Sequence, residues 1–209
     1  MKNPKTLKTL IWTNIISLLV FIFILLEVFH NGFLIKLDLL INSFMPNIEN
    51  SLLTNLSIAI SFIFDIKSLA VITLILSFYL LLKNSKKDSI FFILTIIFGG
   101  EFIYIIKDLI QRTRPLNALV SESDFAFPSG HAAISIAFFG ILIYLFSQKR
   151  GLRSLKLVSV LISIFIILLI CFSRVYLNVH WFSDVLGGIA IGTFILTGCI
   201  LLKEFFIKK

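Results

Sequence analysis

Long uncharged apolar stretches, separated by short basic clusters, are the feature that most restricts the fold of this chain. Of its 209 residues, 58% are hydrophobic and only 14% are charged, a balance typical of membrane proteins. A bilayer core of about 30 Å is crossed by roughly 20 helical residues, or fewer where flanking lysines reach the headgroups. Six stretches meet this requirement, approximately at 10–29, 67–83, 89–106, 131–147, 156–173 and 184–202. We therefore predict an all-α integral membrane protein with six transmembrane helices.

The segment of about 32–64, between the first and second spans, is expected to contain an amphipathic helix at the membrane interface. Its uncharged part, 50–64, is short, and polar residues recur along it at helical spacing. They form one stripe that consists of Asn47, Asn50, Thr54, Ser57 and Ser61. Such a stripe is more typical of an interfacial helix than of a seventh span.

We expect a single domain, 1–209, because no linker, repeat or low-complexity tract interrupts the chain. The basic start and the uncharged run 9–26 resemble a signal peptide, but no small-residue cleavage site follows, so we interpret the run as a retained first span. The formal net charge of +8 lies in clusters between the apolar runs. This arrangement favours contact with anionic membrane lipids, and no nucleic-acid partner is expected.

Basic residues in the short loops predict the orientation in the cell membrane. With six spans and a cytoplasmic N-terminus, every basic cluster falls on the cytoplasmic side, whereas seven spans would break the pattern. The clusters are Lys2, Lys5 and Lys8; Lys83, Lys86 and Lys87; Lys149, Arg150, Arg153 and Lys156; and Lys203, Lys208 and Lys209. Both termini are then cytoplasmic, and the segments 30–66, 107–130 and 174–183 are extracytoplasmic.

The first of three polar motifs on that outer side supplies two cations. Lys107 and Arg114 are seven residues apart, so a third span that continued beyond the membrane would carry both on one face. Pro115 would then end this helix. In the alternative interpretation, Lys107 and Arg112 anchor the end of the span at the lipid headgroups.

The second motif, Pro128, Ser129, Gly130 and His131, opens the fourth span, where free amides and the helix dipole favour an anion. Gly130 allows close backbone approach to a phosphate oxygen, and the Ser129 hydroxyl can donate another hydrogen bond. His131 is well placed as a proton donor. The same residues also fit an ordinary helix start that Ser129 caps.

The third motif contains Ser173, Arg174, His180 and Asp184. If the sixth span begins near His180, the Asp184 carboxylate lies on the same helical face and can accept a hydrogen bond from Nδ1 of His180. Nε2 is then free to attack an electrophile. Alternatively, Asp184 only complements the dipole of a capped helix start.

Together, Lys107-x6-Arg114-Pro115, Pro128-Ser129-Gly130-His131 and Ser173-Arg174-x5-His180-x3-Asp184 match the three-part signature of the type 2 phosphatidic acid phosphatase family. The chain resembles that family over residues 107–184 by motif and over all six spans by topology. Soluble vanadium-dependent haloperoxidases share the motifs, but the apolar composition argues against that branch.

This resemblance implies metal-independent hydrolysis of a lipid phosphate or pyrophosphate through a phosphohistidine. His180 would attack phosphorus, and Asp184 would orient the His180 imidazole. His131 would protonate the leaving oxygen and then activate water. The phosphate would be held by Lys107, Arg114, Ser129, Gly130 and Arg174. Undecaprenyl pyrophosphate, phosphatidylglycerol phosphate and phosphatidic acid are the expected substrates, and the sequence does not separate them.

No cofactor or metal is expected, because the outer acidic residues show no ligand spacing and the cations already supply positive charge. These residues are Asp108, Glu122, Asp124 and Asp184. Glu122 and Asp124 belong either to a solvated loop or to a gate over the pocket. Glu101, inside the third span, either pairs with a site cation or forms structural hydrogen bonds.

Two other functions stay open from the sequence. A non-hydrolytic protein could bind or transport phosphorylated lipids with the same anion site, and a phosphotransferase could pass the phosphoryl group to an acceptor other than water.

The many small residues of the fourth and sixth spans predict close packing between these helices. That packing is expected to hold His131 and His180 across one phosphate-sized gap.

Overall fold

The computed structural model describes residues 4–148 and 152–206. This described part consists of eight α-helices and one 3₁₀ turn (Met45–Ile48), without a strand. The helices are α1 (Pro4–Phe29), α2 (Phe33–Phe44), α3 (Ser51–Ile63), α4 (Ile66–Leu82), α5 (Lys86–Ile110), α6 (Gly130–Gln148), α7 (Arg153–Tyr176) and α8 (Phe182–Phe206). The predicted all-α class is confirmed.

Within the described ranges, 5 helices are long and apolar enough to cross a membrane: α1, α5, α6, α7 and α8. Helices α3 and α4 pass the same test as a pair joined by a 48° bend, which brings the candidate spans to as many as 6. Each stretch predicted as a span falls on one helix, and only the second extends beyond its helix, by one residue at Lys83. The chain is a multi-pass membrane protein.

The polar stripe of α3 faces the protein. The hydroxyl oxygen of Thr54 lies 2.9 Å from that of Tyr176, and the hydroxyl oxygen of Ser61 lies 3.4 Å from that of Ser173, both on α7. A helix lying at the interface would turn such a stripe toward water. The outward face of α3 is apolar instead and exposes Leu52, Leu56 and Phe62.

Local capping explains where α3 and α4 begin. The side chain of Asn50 accepts a hydrogen bond from the amide of Leu53 at 2.9 Å, and that of Asp65 accepts one from the amide of Lys67 at 3.0 Å. Each cap satisfies an amide that the first helical turn leaves without a partner. The second cap also fixes the bend between the two helices.

Helix α6 is the centre of the bundle and packs against α4, α5, α7 and α8. Its buried face joins a core that includes Phe92, Ile103, Ile134, Ile141 and Ile191. Against α8 the two backbones come very close, because a Cβ at Gly192 would lie 2.5 Å from the carbonyl oxygen of Ala133. The predicted close packing of the fourth and sixth spans is confirmed.

The described basic clusters lie at the bundle end opposite the three motifs. Lys86 begins α5 and Arg153 begins α7, whereas the motif residues lie where these two helices end. At this basic end, Nζ of the buried Lys203 pairs with Asp88 at 2.5 Å and lies 4.4 Å from the centre of the Phe91 ring. The predicted cluster members Lys2, Lys149, Arg150, Lys208 and Lys209 lie outside the described residues.

Replacing Gly192 by alanine is expected to lower the melting temperature of the detergent-solubilised protein. The new Cβ would collide with the backbone of Ala133, and overpacking of this kind costs about 1–3 kcal/mol. Gly100→Ala in α5 is the matched control, because a Cβ there meets nothing within 4 Å. Equal melting temperatures for the two variants in a thermal denaturation series would contradict close packing of α6 on α8.

Candidate active site

The three motifs meet at one end of the bundle because successive helices run in opposite directions. Helices α5 and α7 end there, and α6 and α8 begin there. Backbone hydrogen bonds hold the connecting segments together: the Ser129 amide donates to the Asp184 carbonyl at 2.9 Å, and the Leu119 amide donates to the Leu177 carbonyl at 2.9 Å. The sequence therefore predicted correctly that these segments come together.

Lys107 and Arg114 converge, but they do not share a helix. Helix α5 ends at Ile110, and Gln111 adopts the left-handed conformation with φ 52°. The expectation that the helix continues to Pro115 was therefore wrong. Arg114 lies in the following loop, whose course back toward α5 is fixed by a 2.8 Å hydrogen bond from the Ala126 amide to the Arg112 carbonyl.

Both cations bind the same carboxylate. Nζ of Lys107 lies 2.7 Å from Oδ2 of Asp124, and Nη2 of Arg114 binds Oδ1. Burial alone would raise the pKa of the Asp124 carboxyl. The hydrogen bond from Lys107 and the charges of Lys107 and Arg114 outweigh this effect and hold the pKa of Asp124 below its ordinary value of 3.8. Asp124 is therefore ionised at neutral pH.

The third cation of the motifs, Arg174, is paired in the same manner. Its Nη2 binds the Glu122 carboxylate, which belongs to the same loop as Asp124. The side chain of Arg174 is 2% exposed, whereas that of Glu122 is 28% and that of Asp124 is 47% exposed. The loop carboxylates thus cover the buried cations from the solvent side.

The second motif starts α6 as predicted, with Gly130 as its first residue. The Ser129 hydroxyl is buried and has no hydrogen-bond partner among the described residues, so it does not cap the helix. Nε2 of His131 lies 3.3 Å from the Ser61 carbonyl oxygen and 3.5 Å from Oδ1 of Asp65. The bend between α3 and α4 therefore contacts this histidine, a contact that the sequence did not reveal.

His180 lies just before α8, and Asp184 lies in the first turn. Nδ1 of His180 is 3.4 Å from Oδ2 of Asp184 but forms no hydrogen bond within the described part of the chain. The same Oδ2 accepts a 2.8 Å hydrogen bond from the Trp181 amide, which caps the helix start. Asp184 therefore both caps α8 and faces the imidazole, as the two interpretations of this motif proposed separately.

The surroundings of His180 keep its imidazole neutral. Burial is the largest cause, followed by the positive charges of Arg114, Arg174 and Lys107, and together they hold the pKa of His180 well below its ordinary value of 6.5. On the other ring nitrogen, Nε2 lies 3.3 Å from Nη1 of Arg114. A neutral imidazole retains the lone pair that a nucleophile requires.

The sequence pattern did not indicate Asp38, on α2, and predicted only an anchoring role for Arg112. The Arg112 side chain is 11% exposed and pairs with Asp38 and with Asp184. The isolated acidic residue in the apolar sequence of α2 is the signal that could have drawn attention to Asp38. Glu101 is exposed on α5, and the site cations named above pair with other carboxylates.

Buried polar atoms without a partner concentrate at this site. Within the described chain there are four such side-chain atoms, and three of them belong to the second and third motifs: Ser129 Oγ, Arg174 Nε and His180 Nδ1. Buried donors are rarely left without acceptors in a folded protein. Their convergence beside three cations indicates a site for an anion with several oxygen atoms.

Among residues 4–148 and 152–206, no three His, Cys, Asp or Glu side chains form a group that could hold a metal ion.

The sequence is similar to two curated proteins whose names are those of phosphatases. A phosphatidylglycerophosphatase B of Bacillus subtilis (strain 168) is 36% identical over 104 residues, which cover 48% of this chain and 51% of that protein. An undecaprenyl-diphosphatase of Sulfolobus acidocaldarius is 26% identical over 123 residues, which cover 56% of this chain and 55% of that protein. The chain spans about half the length of these curated relatives.

A solved structure agrees with the fold. The crystal structure of a transmembrane PAP2-type phosphatidylglycerolphosphate phosphatase from Bacillus subtilis superposes with a TM-score of 0.78, covering 91% of this chain and 96% of the other at 25% identity. In addition, the family model of the PAP2 superfamily matches residues 88–208, which include all three motifs. Since this match covers more than half of the chain, the protein belongs to the PAP2 superfamily.

Proposed function

We propose that this protein hydrolyses a lipid phosphate or lipid pyrophosphate through a phosphohistidine formed on His180. The observation that carries the proposal is the environment of that side chain, which is 1% exposed and surrounded by the charges of Lys107, Arg114 and Arg174. A neutral nucleophile surrounded by cations suits attack on an anionic phosphorus centre, because the cations balance the charge that the phosphoryl oxygens carry.

In the first step, Nε2 of His180 attacks phosphorus as the bond from phosphorus to the leaving oxygen breaks. His131, in its protonated form, gives its Nε2 proton to that oxygen and becomes neutral, and the oxygen leaves as part of the alcohol or phosphate product. Asp184 balances the positive charge that develops on the imidazole. The phosphoryl oxygens take hydrogen bonds from the side chains of Lys107, Arg114, Arg174 and Ser129 and from the Gly130 amide.

In the second step, His131 takes a proton from water, and the resulting hydroxide attacks phosphorus. The bond between phosphorus and Nε2 of His180 breaks, inorganic phosphate is released, and the neutral imidazole is regenerated. The Ser61 carbonyl oxygen, 3.3 Å from Nε2 of His131, can accept a hydrogen bond from the protonated ring. No step requires a metal ion, because the arginine and lysine side chains supply the positive charge.

Two features support a lipid as substrate. The site lies at one end of a bundle with an apolar outer surface, and the two curated relatives have names that specify a phosphatidylglycerophosphatase and an undecaprenyl-diphosphatase. Substrates of these two kinds, together with phosphatidic acid, are our candidates. The described basic clusters at the opposite end support cytoplasmic termini and an active site on the extracytoplasmic side.

Purified protein in excess EDTA is expected to release phosphate from at least one of phosphatidylglycerol phosphate, undecaprenyl pyrophosphate and phosphatidic acid. His180→Ala should reduce this release by about 10⁴-fold or more, because it removes the nucleophile. Water-soluble phosphate esters in the same assay report whether the lipid chain is needed. Binding of vanadate by the variant is the control for an intact phosphate site.

Full activity of His180→Ala would contradict the phosphohistidine, and dependence on added metal would contradict the metal-independent reaction. Loss of substrate phosphate without release of inorganic phosphate would favour a phosphotransferase. Binding of lipid phosphates without turnover would favour the binding or transport alternative.

Asp124→Asn is expected to lower KM about fivefold. Substrate phosphate must displace the Asp124 carboxylate from Lys107 and Arg114, and a half-exposed ion pair contributes about 1 kcal/mol. Asp108→Asn removes the same charge from an exposed carboxylate nearby and is the matched control. Steady-state kinetics in detergent micelles distinguishes the two variants, and a raised KM for Asp124→Asn would show that this carboxylate orders the cations instead of competing with substrate.

A further inference from the structure

Arg112 lies between two buried carboxylates that belong to different helices. Its Nη2 is 2.7 Å from Oδ2 of Asp38 on α2, and its Nη1 binds Oδ1 of Asp184 on α8. The side chain of Asp38 is 1% exposed and that of Asp184 is fully buried. An arginine that only anchored a span would extend to the headgroups, whereas this one is directed into the protein.

Ser183 completes the network. Its amide donates to Oδ1 of Asp38 at 2.8 Å, and its hydroxyl donates to Oδ2 of the same carboxylate at 2.6 Å. Nη1 of Arg112 also lies 2.7 Å from the Ser183 hydroxyl oxygen. Asp38 therefore fixes both Arg112 and the first turn of α8, and it does so from a helix that carries none of the three motifs.

The network restrains the orientation of the Asp184 carboxylate. Oδ1 is bound by Arg112, and Oδ2 accepts the Trp181 amide and faces Nδ1 of His180 at 3.4 Å. With both oxygen atoms engaged, the carboxylate cannot rotate away from the imidazole. The guanidinium is itself held over the indole ring of Trp181, with its carbon 5.7 Å from the ring centre.

Arg112 differs from the three cations expected to bind phosphate. Its two terminal nitrogen atoms are bound by deeply buried groups. Lys107, Arg114 and Arg174 instead pair with the more exposed loop carboxylates. Breaking a buried ion pair leaves an uncompensated charge, whereas an exposed partner can exchange with a ligand at small cost.

We propose that Asp38 and Arg112 are positioning residues that hold Asp184, and through it the imidazole of His180, in the geometry required for attack. The pair acts on the reaction without contacting the phosphate. The inference rests on the proposed function of His180. It makes α2 part of the apparatus that orients the nucleophile.

The test compares kcat, KM and the inhibition constant of inorganic phosphate for Arg112→Met, Arg112→Lys and Asp38→Asn. Displacement of a reacting group by about 1 Å can cost about 100-fold in rate, so Arg112→Met should lose roughly 10- to 100-fold in kcat. KM and the phosphate inhibition constant should stay within about twofold. Arg112→Lys keeps the positive charge but lacks the two terminal nitrogen atoms of the guanidinium, so it should recover part of kcat.

Arg114→Met is the matched control, two residues away. Because Arg114 is assigned to phosphate binding, this variant should weaken inhibition by inorganic phosphate, which Arg112→Met should not do. If Asp38 acts through Arg112, the double variant Asp38→Asn with Arg112→Met should lose no more kcat than Arg112→Met alone.

Three results would overturn the inference: wild-type kcat in Arg112→Met and Asp38→Asn, weakened phosphate inhibition like that of Arg114→Met, or a loss of activity equal to the loss of folded protein. If Arg112→Met does not fold, Asp38→Asn, which has nearly the same shape, provides the same comparison. His180→Ala separates this inference from the function itself. Full activity of that variant would defeat the proposed function, whereas an inactive His180→Ala beside a fully active Arg112→Met would defeat only the positioning role.

Discussion

The need to neutralise buried positive charge governs how this site is built. Lys107, Arg112 and Arg174 are almost fully enclosed at the end of an apolar bundle, where an unpaired charge would be very costly. Each of them therefore has a carboxylate partner. Those partners come from α2, from α8 and from the loop between α5 and α6, so charge pairing also determines how these parts of the chain assemble.

The ion pairs differ in how easily they can exchange. Asp124 and Glu122 are partly exposed on a loop, and a phosphate with several anionic oxygen atoms can take their place on the cations. Asp38 and Asp184 are buried on helices, so their contacts with Arg112 persist while the loop contacts change. In the proposed mechanism, Lys107, Arg114 and Arg174 are thereby available to substrate, and Arg112 maintains the geometry of the nucleophile.

Hydropathy and motif spacing predicted much of this arrangement because both act locally. Apolar runs of membrane length form helices. Because successive spans cross the membrane in opposite directions, the end of one span and the start of the next lie on the same side. The details that the sequence did not reveal depend on contacts distant in sequence or on single dihedral angles. Gln111 ends α5 in a left-handed conformation, so Arg114 leaves the helix. The role of Asp38 depends on the contact between α2 and α8. The polar stripe of α3 faces α7 because its hydroxyl groups form hydrogen bonds with hydroxyl groups of α7.

Transfer of the phosphoryl group to His180 can be observed by trapping the phosphorylated protein. Rapid quenching of the protein with a lipid substrate labelled in its transferred phosphoryl group, followed by peptide mapping under alkaline conditions, locates the label. If His180 is the nucleophile, one acid-labile, alkali-stable phosphoryl group forms on His180 within a single turnover and is absent from His180→Ala. Turnover without label on any histidine, or with label on another residue, would contradict this role of His180.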